Sequence, residues 1–229
     1  MEYYKNKHLE RISREWIKET LPMNYSYRFD WMGVQVIQFP QDLMGLQELI
    51  WENEPSVIIE TGVAHGGLTM FLANMQHLVQ RDGEVIAIEK GVLPETRQEL
   101  EYGIYGGKIS LIEGGSTEKE TVETVIDIIS PRDTVMVILD SAHTHDHVLN
   151  ELEMYSELVG KGQYIVVMDT IIEFMPDECW EGKPHGVGNN PYTAVQEFLK
   201  STDRFIVDEQ MENKLRITCA PGGWLKCVK

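Results

Sequence analysis

The sequence predicts an α/β fold: a mostly parallel seven-stranded sheet with helices on both faces. From Val57 onward, short β-branched runs alternate with longer amphipathic stretches, the pattern of a parallel sheet wrapped by helices. The runs are almost continuously apolar, which is typical of strands covered on both faces. The last two runs lie close together, and we expect an antiparallel C-terminal hairpin at one edge of the sheet.

The predicted strands span residues 57–61, 84–89, 109–113, 134–140, 163–169, 204–208 and 214–219. Helices are predicted near residues 68–79, 94–102, 117–129, 144–159 and 191–200. These elements form a predicted domain at 53–229. The preceding residues, 1–52, form an N-terminal helical and aromatic segment: a helix over 5–20 that stops near Pro22, an aromatic stretch over 23–39, and an amphipathic helix over 43–52.

The aromatic stretch 23–39 has three interpretations. It could line a substrate pocket, form oligomer contacts or pack on the domain's own core, because aromatic side chains are common in all three settings. The loop 182–190, rich in Gly, Pro and Asn, is long enough to suggest a second functional wall.

Composition excludes several kinds of partner. The formal net charge of −17 over 229 residues argues against nucleic acid and against an anionic membrane surface. No apolar run approaches the roughly 20 residues that span a bilayer, and the N-terminus lacks the apolar region of a secretory signal. The three cysteines form no CxxC pair, so we expect a cytoplasmic protein.

A glycine-rich turn follows the strand at 57–61 and precedes a predicted helix. Glycines let the backbone approach a ligand closely, and the unpaired N–H groups of a helix N-terminus suit a polar or anionic group. This turn is therefore the predicted site of a nucleotide-like cofactor. Its candidate residues are Glu60, Thr61, Gly62, His65, Gly66 and Gly67. Because the turn is not GxGxxG, a dinucleotide is less favoured than another adenosine-type cofactor.

Acids stand where ligands of parallel sheets bind, beyond the carboxyl ends of the strands. Glu89 follows Gly62 by 27 residues, near the offset at which a carboxylate binds ribose hydroxyls. Asp140 and Asp169 end what should be neighbouring strands, and two such carboxylates could share Mg²⁺. The alternative for each is a solvated acid at a strand end.

Three histidines lie between Asp140 and Val148. Zinc is disfavoured, because His145 and His147 should point in different directions at the start of a helix that Thr144 caps. His143 is the better candidate for a general base next to a metal-held hydroxyl, since its pKa lies near neutrality.

Several segments together resemble the cephalosporin hydroxylase (CmcI-like) family from about Trp31 to the C-terminus. They are Ile59–Gly67, Leu139–His145, Met168–Thr170, Gly188–Pro191 and Glu212–Lys226. The family looks like Rossmann-like class I S-adenosylmethionine-dependent methyltransferases related to Mg²⁺-dependent sugar O-methyltransferases. The sequence is therefore expected to encode such an enzyme, acting on a hydroxyl of a small molecule that is a sugar or a natural-product intermediate. The resemblance also implies a homo-oligomer.

The resemblance assigns roles to the candidate residues. Residues 60–67 would hold the methionine part of S-adenosylmethionine, Glu89 the ribose, and Gly115 with Ser116 would lie by the adenine. Asp140 and Asp169 match metal positions, and His143 matches the base. Relatives often have Glu-Asp where this chain has Met168-Asp169, so Thr170, His145 or water could complete the metal site.

Two alternatives stay open from the sequence. One is a metal-independent N-methyltransferase of a small amine, which would fit the missing carboxylate. The other is a non-catalytic cofactor-binding partner of a tailoring enzyme, against which the retained Asp140, His143 and Asp169 argue.

Overall fold

A computed structural model describes residues 6–79, 83–103 and 108–229. Nine strands occur there: β1 (Phe29–Trp31), β2 (Val34–Val36), β3 (Val57–Thr61), β4 (Glu84–Glu89), β5 (Ile109–Glu113), β6 (Val135–Leu139), β7 (Tyr164–Val167), β8 (Phe205–Val207) and β9 (Trp224–Cys227). The α-helices are α1 (Lys7–Thr20), α2 (Pro40–Asn53), α3 (Gly67–Leu78), α4 (Pro94–Tyr102), α5 (Lys119–Ile128), α6 (His145–Tyr155), α7 (Pro191–Ser201) and α8 (Glu209–Leu215).

Seven strands form the central sheet in the order β5-β4-β3-β6-β7-β9-β8. The first five run parallel, and β9 pairs antiparallel with both β7 and β8. The predicted mostly parallel α/β fold with an antiparallel pair at one edge is confirmed. Strand order reverses between β3 and β6, and ligands of open α/β sheets bind at such a switch point.

The predicted strand 214–219 is wrong. Residues 209–215 form α8, which begins because the Oδ1 atom of Asp208 accepts the N–H groups of Gln210 and Met211, each at 3.0 Å. The true last strand is β9, whose Trp224 is fully buried. A helix and a loop therefore separate the two antiparallel strands, where a short turn was expected.

Two apolar layers hold the sheet. One packs α2 and α3 against the sheet through side chains such as Leu46, Leu72 and Trp224. The other packs α6 and α7 against the opposite face through Leu152, Val195 and Phe198, among others. No helix in the described ranges is both apolar enough and long enough to cross a bilayer.

The N-terminal segment adds a small hairpin that the sequence did not predict. Strands β1 and β2 pair around Met32 and Gly33, both of which have positive φ angles. The side chains of Val36 and Phe39 are buried in the same cluster as α2 and α3, so the segment packs on the core. The backbone of Gln35 also contacts Gly67, where a Cβ atom would lie 2.2 Å from the Gln35 carbonyl oxygen.

Gly62 combines a conformational and a steric requirement. Its φ is +85°, and a Cβ there would lie 2.1 Å from the backbone oxygen of Asp140. The turn after β3 and the acid after β6 therefore meet backbone to backbone, which only glycine permits.

We expect Gly62→Ala to lower the free energy of unfolding by about 2–5 kcal/mol, the sum of a left-handed backbone and overpacking. Gly162→Ala is the matched control, because Gly162 has φ +93° and an added Cβ there meets nothing within 4 Å. It should cost only about 1–2 kcal/mol. Urea unfolding of both variants makes the comparison, and equal losses would contradict the steric argument.

Candidate active site

A cavity of about 570 Å³ opens beyond the carboxyl ends of β3 to β7. Most of the predicted site residues line it: Glu60, Gly62, His65, Gly67, Glu89, Gly115, Ser116, Asp140, His143 and Asp169. Thr61 is fully buried within β3, and Gly66, with φ +87°, is the N-cap of α3. The topology thus brings most of the predicted cofactor and metal residues to one cavity.

Glu60 is fully buried, yet only one of its carboxyl oxygens has a hydrogen-bond partner. Thr69 donates its hydroxyl to Oε2 at 2.5 Å, while Oε1 accepts no hydrogen bond. Burial, with a smaller contribution from the charge of Glu89, raises the pKa of Glu60 to about 8, although the hydrogen bond from Thr69 acts to lower it. A buried acceptor without a partner costs free energy, and a cationic ligand in the cavity would supply the missing partner.

Glu89 holds the turn as well as facing the cavity. Its Oε2 atom accepts the backbone N–H groups of Val63 at 2.9 Å and Ala64 at 3.2 Å. Ala64 has a left-handed φ of 47°, a conformation that a non-glycine residue adopts only where its surroundings impose it. Glu89 therefore fixes the shape of the turn after β3.

Asp140, His143 and Asp169 form a compact group of possible metal ligands. One ligand atom from each lies within 4.8 Å of the others, and the Nε2 atom of His143 is 3.2 Å from Oδ2 of Asp169. Burial raises the pKa of Asp140 well above its ordinary value, with further contributions first from Asp169 and then from Glu60. Asp169 has a left-handed φ of 56°, so the backbone adopts a sparsely populated conformation at the residue that carries this acid.

The structure does not bring Thr170 or His145 to this group. Thr170 is fully buried and donates its hydroxyl to the carbonyl oxygen of Pro221 at 2.8 Å. The ring of His145 instead contacts Glu197 and Thr193, outside the cavity. Both were predicted as substitutes for the acid that Met168 replaces, and neither side chain reaches the group.

The side chain of Met168 is buried and contacts the thiol of Cys219. Its Sδ atom lies 3.7 Å from Sγ of Cys219, and the residue does not line the cavity. His145 and His147 point in different directions, as predicted, since His147 lies 3.4 Å from Glu151 and within hydrogen-bond distance of Ser116 and Ser141. The sequence analysis did not predict these hydrogen bonds of His147 at the cavity wall. The four-residue spacing of His147 and Glu151 on α6 is the signal that could have indicated them.

Of the two segments predicted to form walls of the substrate pocket, only the aromatic stretch 23–39 lines the cavity. Tyr27, Gln35, Ile37 and Gln38 of the aromatic stretch line the cavity. Burial raises the pKa of Tyr27, and the charges of Asp169 and then Asp140 raise it further. The loop 182–190 contributes no lining residue within the described part of the chain.

The Gly188–Pro191 motif is explained by hydrogen bonds around that loop. Oε2 of Glu173 accepts from the backbone of Gly188 at 2.8 Å and from Nδ2 of Asn190 at 2.5 Å. The side-chain oxygen of Asn189 accepts the backbone N–H of His145 at 2.9 Å. Through this last hydrogen bond, the loop contacts the segment that carries His143.

Comparisons with known proteins show the family to which the chain belongs. The profile of the family described as "Rhamnosyl O-methyltransferase/CmcI" matches residues 23–228. A rhamnosyl O-methyltransferase of Mycobacterium tuberculosis is 28% identical over 202 residues, which cover 85% of this chain and 76% of the relative.

Two solved CmcI structures share the fold. An apo structure superposes with a TM-score of 0.64 at 21% identity, covering 89% of this chain and 77% of that chain. A structure with Mg and SAM gives a TM-score of 0.62 at 19% identity, covering 89% and 78%. The predicted resemblance is thus confirmed, and with it the prediction of a methyltransferase. The chain belongs to the rhamnosyl O-methyltransferase/CmcI family.

Proposed function

We propose that this protein transfers the methyl group of S-adenosylmethionine to a hydroxyl of a small molecule, with a sugar as the acceptor class. One observation carries the proposal: the unpartnered carboxyl oxygen of Glu60 and the Asp140, His143 and Asp169 group line the same cavity. The first suits a cationic cofactor and the second suits a hard cation beside an ionising hydroxyl.

The cofactor end of the cavity fits S-adenosylmethionine. Glu60 would pair with the ammonium of the methionine part, because its Oε1 atom is buried without a partner. Glu89 would accept the ribose hydroxyls, and Gly115 with Ser116 would flank the adenine. Ser116 is itself held in place, since the hydroxyl of Tyr155 donates to its carbonyl oxygen at 2.7 Å.

The acid group fits Mg²⁺ by the chemistry of its donors. Asp140 and Asp169 would hold the ion through hard carboxylate oxygens. The pKa of Asp140 is raised first by burial and then by the charges of Asp169 and Glu60, and a bound cation would offset both effects. When bound, S-adenosylmethionine supplies an electrophilic methyl group and Mg²⁺ supplies a Lewis acid that favours ionisation of the acceptor hydroxyl.

His143 is the proposed acceptor of the hydroxyl proton. Its Nε2 atom is 3.2 Å from Asp169, and if this nitrogen carries the hydrogen, Nδ1 is left to accept a proton. The neighbouring carboxylate would orient the ring and stabilise the imidazolium that forms. The remaining work of the site is to align the two reactants.

The acceptor class follows from the opposite wall and from the relatives. Tyr27 and Gln35 present polar groups along that wall, which suits a ligand rich in hydroxyl groups. The matched relatives carry the name rhamnosyl O-methyltransferase. The homo-oligomer and the division into residues 1–52 and 53–229 stay predictions.

Chelation should separate the alternatives. With p-nitrophenyl rhamnoside as acceptor, we expect EDTA to abolish release of S-adenosylhomocysteine and added Mg²⁺ to restore it, because Asp140 and Asp169 would otherwise lack the cation. Full turnover in chelator would contradict metal dependence, and amine acceptors would then test N-methylation. Calorimetric binding of S-adenosylmethionine without turnover of any acceptor would favour a non-catalytic partner.

We expect His143→Ala to lower the turnover number by about 10²–10⁴-fold through loss of general-base catalysis, with little change in S-adenosylmethionine affinity. His145→Ala is the control, because its ring contacts Glu197 and Thr193 away from the cavity. Steady-state kinetics together with calorimetry test the pair. An unchanged rate for the His143 variant would remove this residue from the role.

Glu60→Gln should affect binding and stability in opposite directions. Affinity for S-adenosylmethionine should fall about 10–100-fold, through loss of a charged hydrogen bond. The unliganded variant should be more stable than the parent near pH 8. Because burial raises the folded pKa of Glu60 from 4.5 to about 8, the parent's stability decreases as pH rises through that window.

The stability gap between Glu60→Gln and the parent should therefore widen from pH 5 to pH 8, by at most about 1.4 kcal/mol per pH unit. Calorimetry and urea unfolding at both pH values measure the two effects. Glu123→Gln on the exposed surface of α5 should change neither. A variant that loses both affinity and stability at pH 8 would show that Glu60 is structural.

A further inference from the structure

We infer that Gln38, in the N-terminal segment, is a positioning residue that fixes the carboxylate of Asp140 for cation binding. The inference rests on the proposed function and adds a residue from outside the strands and helices of the α/β sheet. Gln38 lies between β2 and α2, and its side chain reaches the acid group across 102 positions of sequence.

The contact is short and joins a buried glutamine to a half-buried acid. The Nε2 atom of Gln38 donates to Oδ2 of Asp140 at 2.7 Å, and the residue is only 3% exposed although it lines the cavity wall. Hydrogen bonds to ionised groups are among the stronger ones in proteins, and burial strengthens them. Gln38 therefore holds one of the two Asp140 oxygens in a set direction.

A second contact decides which end of the amide faces the acid. The Cys219 thiol donates to Oε1 of Gln38 at 3.3 Å, and the backbone N–H of Cys219 donates to Oδ2 of Asp42 at 2.8 Å. The amide oxygen thus faces a donor and the amide nitrogen faces an acceptor, so both ends are satisfied in this orientation alone. An amide nitrogen cannot coordinate a cation, so Gln38 positions a ligand and is not one.

Asp140 has a particular need for a neutral donor. Asp169, Glu60, Glu151 and Asp42 all act on it with like charge. Repulsion alone would let the carboxylate rotate away from its neighbours. With Oδ2 held by Gln38, Oδ1 is left for a cation shared with Asp169.

Gln38 is itself rigidly held. Val36 and Phe39, on either side of it, are buried in the apolar cluster with α2 and α3. The peptide of Gln35 lies tightly against Gly67. The N-terminal segment can therefore transmit a defined geometry to the acid group.

The test is Mn²⁺ binding to the full chain, by electron paramagnetic resonance and calorimetry in saturating S-adenosylhomocysteine. Gln38→Met keeps the length of the side chain and removes the donor. We expect its Mn²⁺ affinity to fall about 10–100-fold, as is typical when a group hydrogen-bonded to a metal ligand is lost. The KM for Mg²⁺ should rise in parallel, while affinity for S-adenosylhomocysteine stays within a few-fold.

Gln163→Met is the matched control. Gln163 is also a buried glutamine, and its Nε2 atom donates to the Asn53 carbonyl oxygen at 2.9 Å, far from the cavity. It should lose comparable stability and keep Mn²⁺ affinity. If Gln38→Met does not fold, Gln38→Asn, which keeps a buried amide but is one methylene too short to reach Asp140, should give the same weakening.

The outcomes are distinct. Parental Mn²⁺ affinity in a folded Gln38→Met or Gln38→Asn variant would overturn the inference, and so would equal weakening in Gln163→Met. If the parent protein itself binds no Mn²⁺, the metal part of the proposed function fails first. Weakening confined to the Gln38 variants supports the positioning role.

Discussion

The site depends on one electrostatic constraint: several buried or half-buried carboxyl groups lie together at one end of the sheet, and the described residues show no lysine or arginine paired with them. Within the described residues, no lysine or arginine pairs with Glu60, Asp140 or Asp42. Burial raises the pKa of each of these groups, and one oxygen each of Glu60 and Asp42 accepts no hydrogen bond. Such an arrangement costs stability unless cations enter the cavity, so it is better explained by ligand binding than by folding.

The backbone is built to keep these acids close. Gly62 contacts the peptide of Asp140 directly, which draws the turn after β3 against the end of β6. Asp169 follows β7 in a left-handed conformation, and Ala64 takes another under the hydrogen bonds of Glu89. Strained residues of this kind persist only where the surroundings impose them, and both of these residues line the cavity.

Sequence reasoning predicted the sheet and its strand-end acids because both follow from local patterns. β-branched runs mark buried strands, and the ends of parallel strands meet at one edge, so Glu60, Glu89, Asp140 and Asp169 could be placed together. The prediction of a final strand at 214–219 failed because residues 209–219 have mixed periodicity. The cap by Asp208 favours a helix there.

Contacts across the chain could not be predicted in the same way. Nothing in the stretch Val36 to Phe39 shows that Gln38 reaches Asp140, beyond the presence of one polar residue in an apolar run. The prediction of Thr170 as a metal ligand failed because its hydroxyl donates to the Pro221 carbonyl oxygen. That hydrogen bond depends on how the C-terminal loop packs. Such choices depend on tertiary packing, which local periodicity does not encode.

The same packing accounts for the departure at Met168. The side chain at this position is directed away from the cavity and toward Cys219, whose thiol in turn donates to Gln38. At position 168 the chain thus has a contact between the sulfur atoms of Met168 and Cys219 in place of a further carboxylate. With Asp140, Asp169, Glu60 and Asp42 already crowded together, one more buried acid would add to the repulsion. A neutral residue at position 168 limits that repulsion, and His143 and Gln38 then complete the surroundings of the acids without adding negative charge.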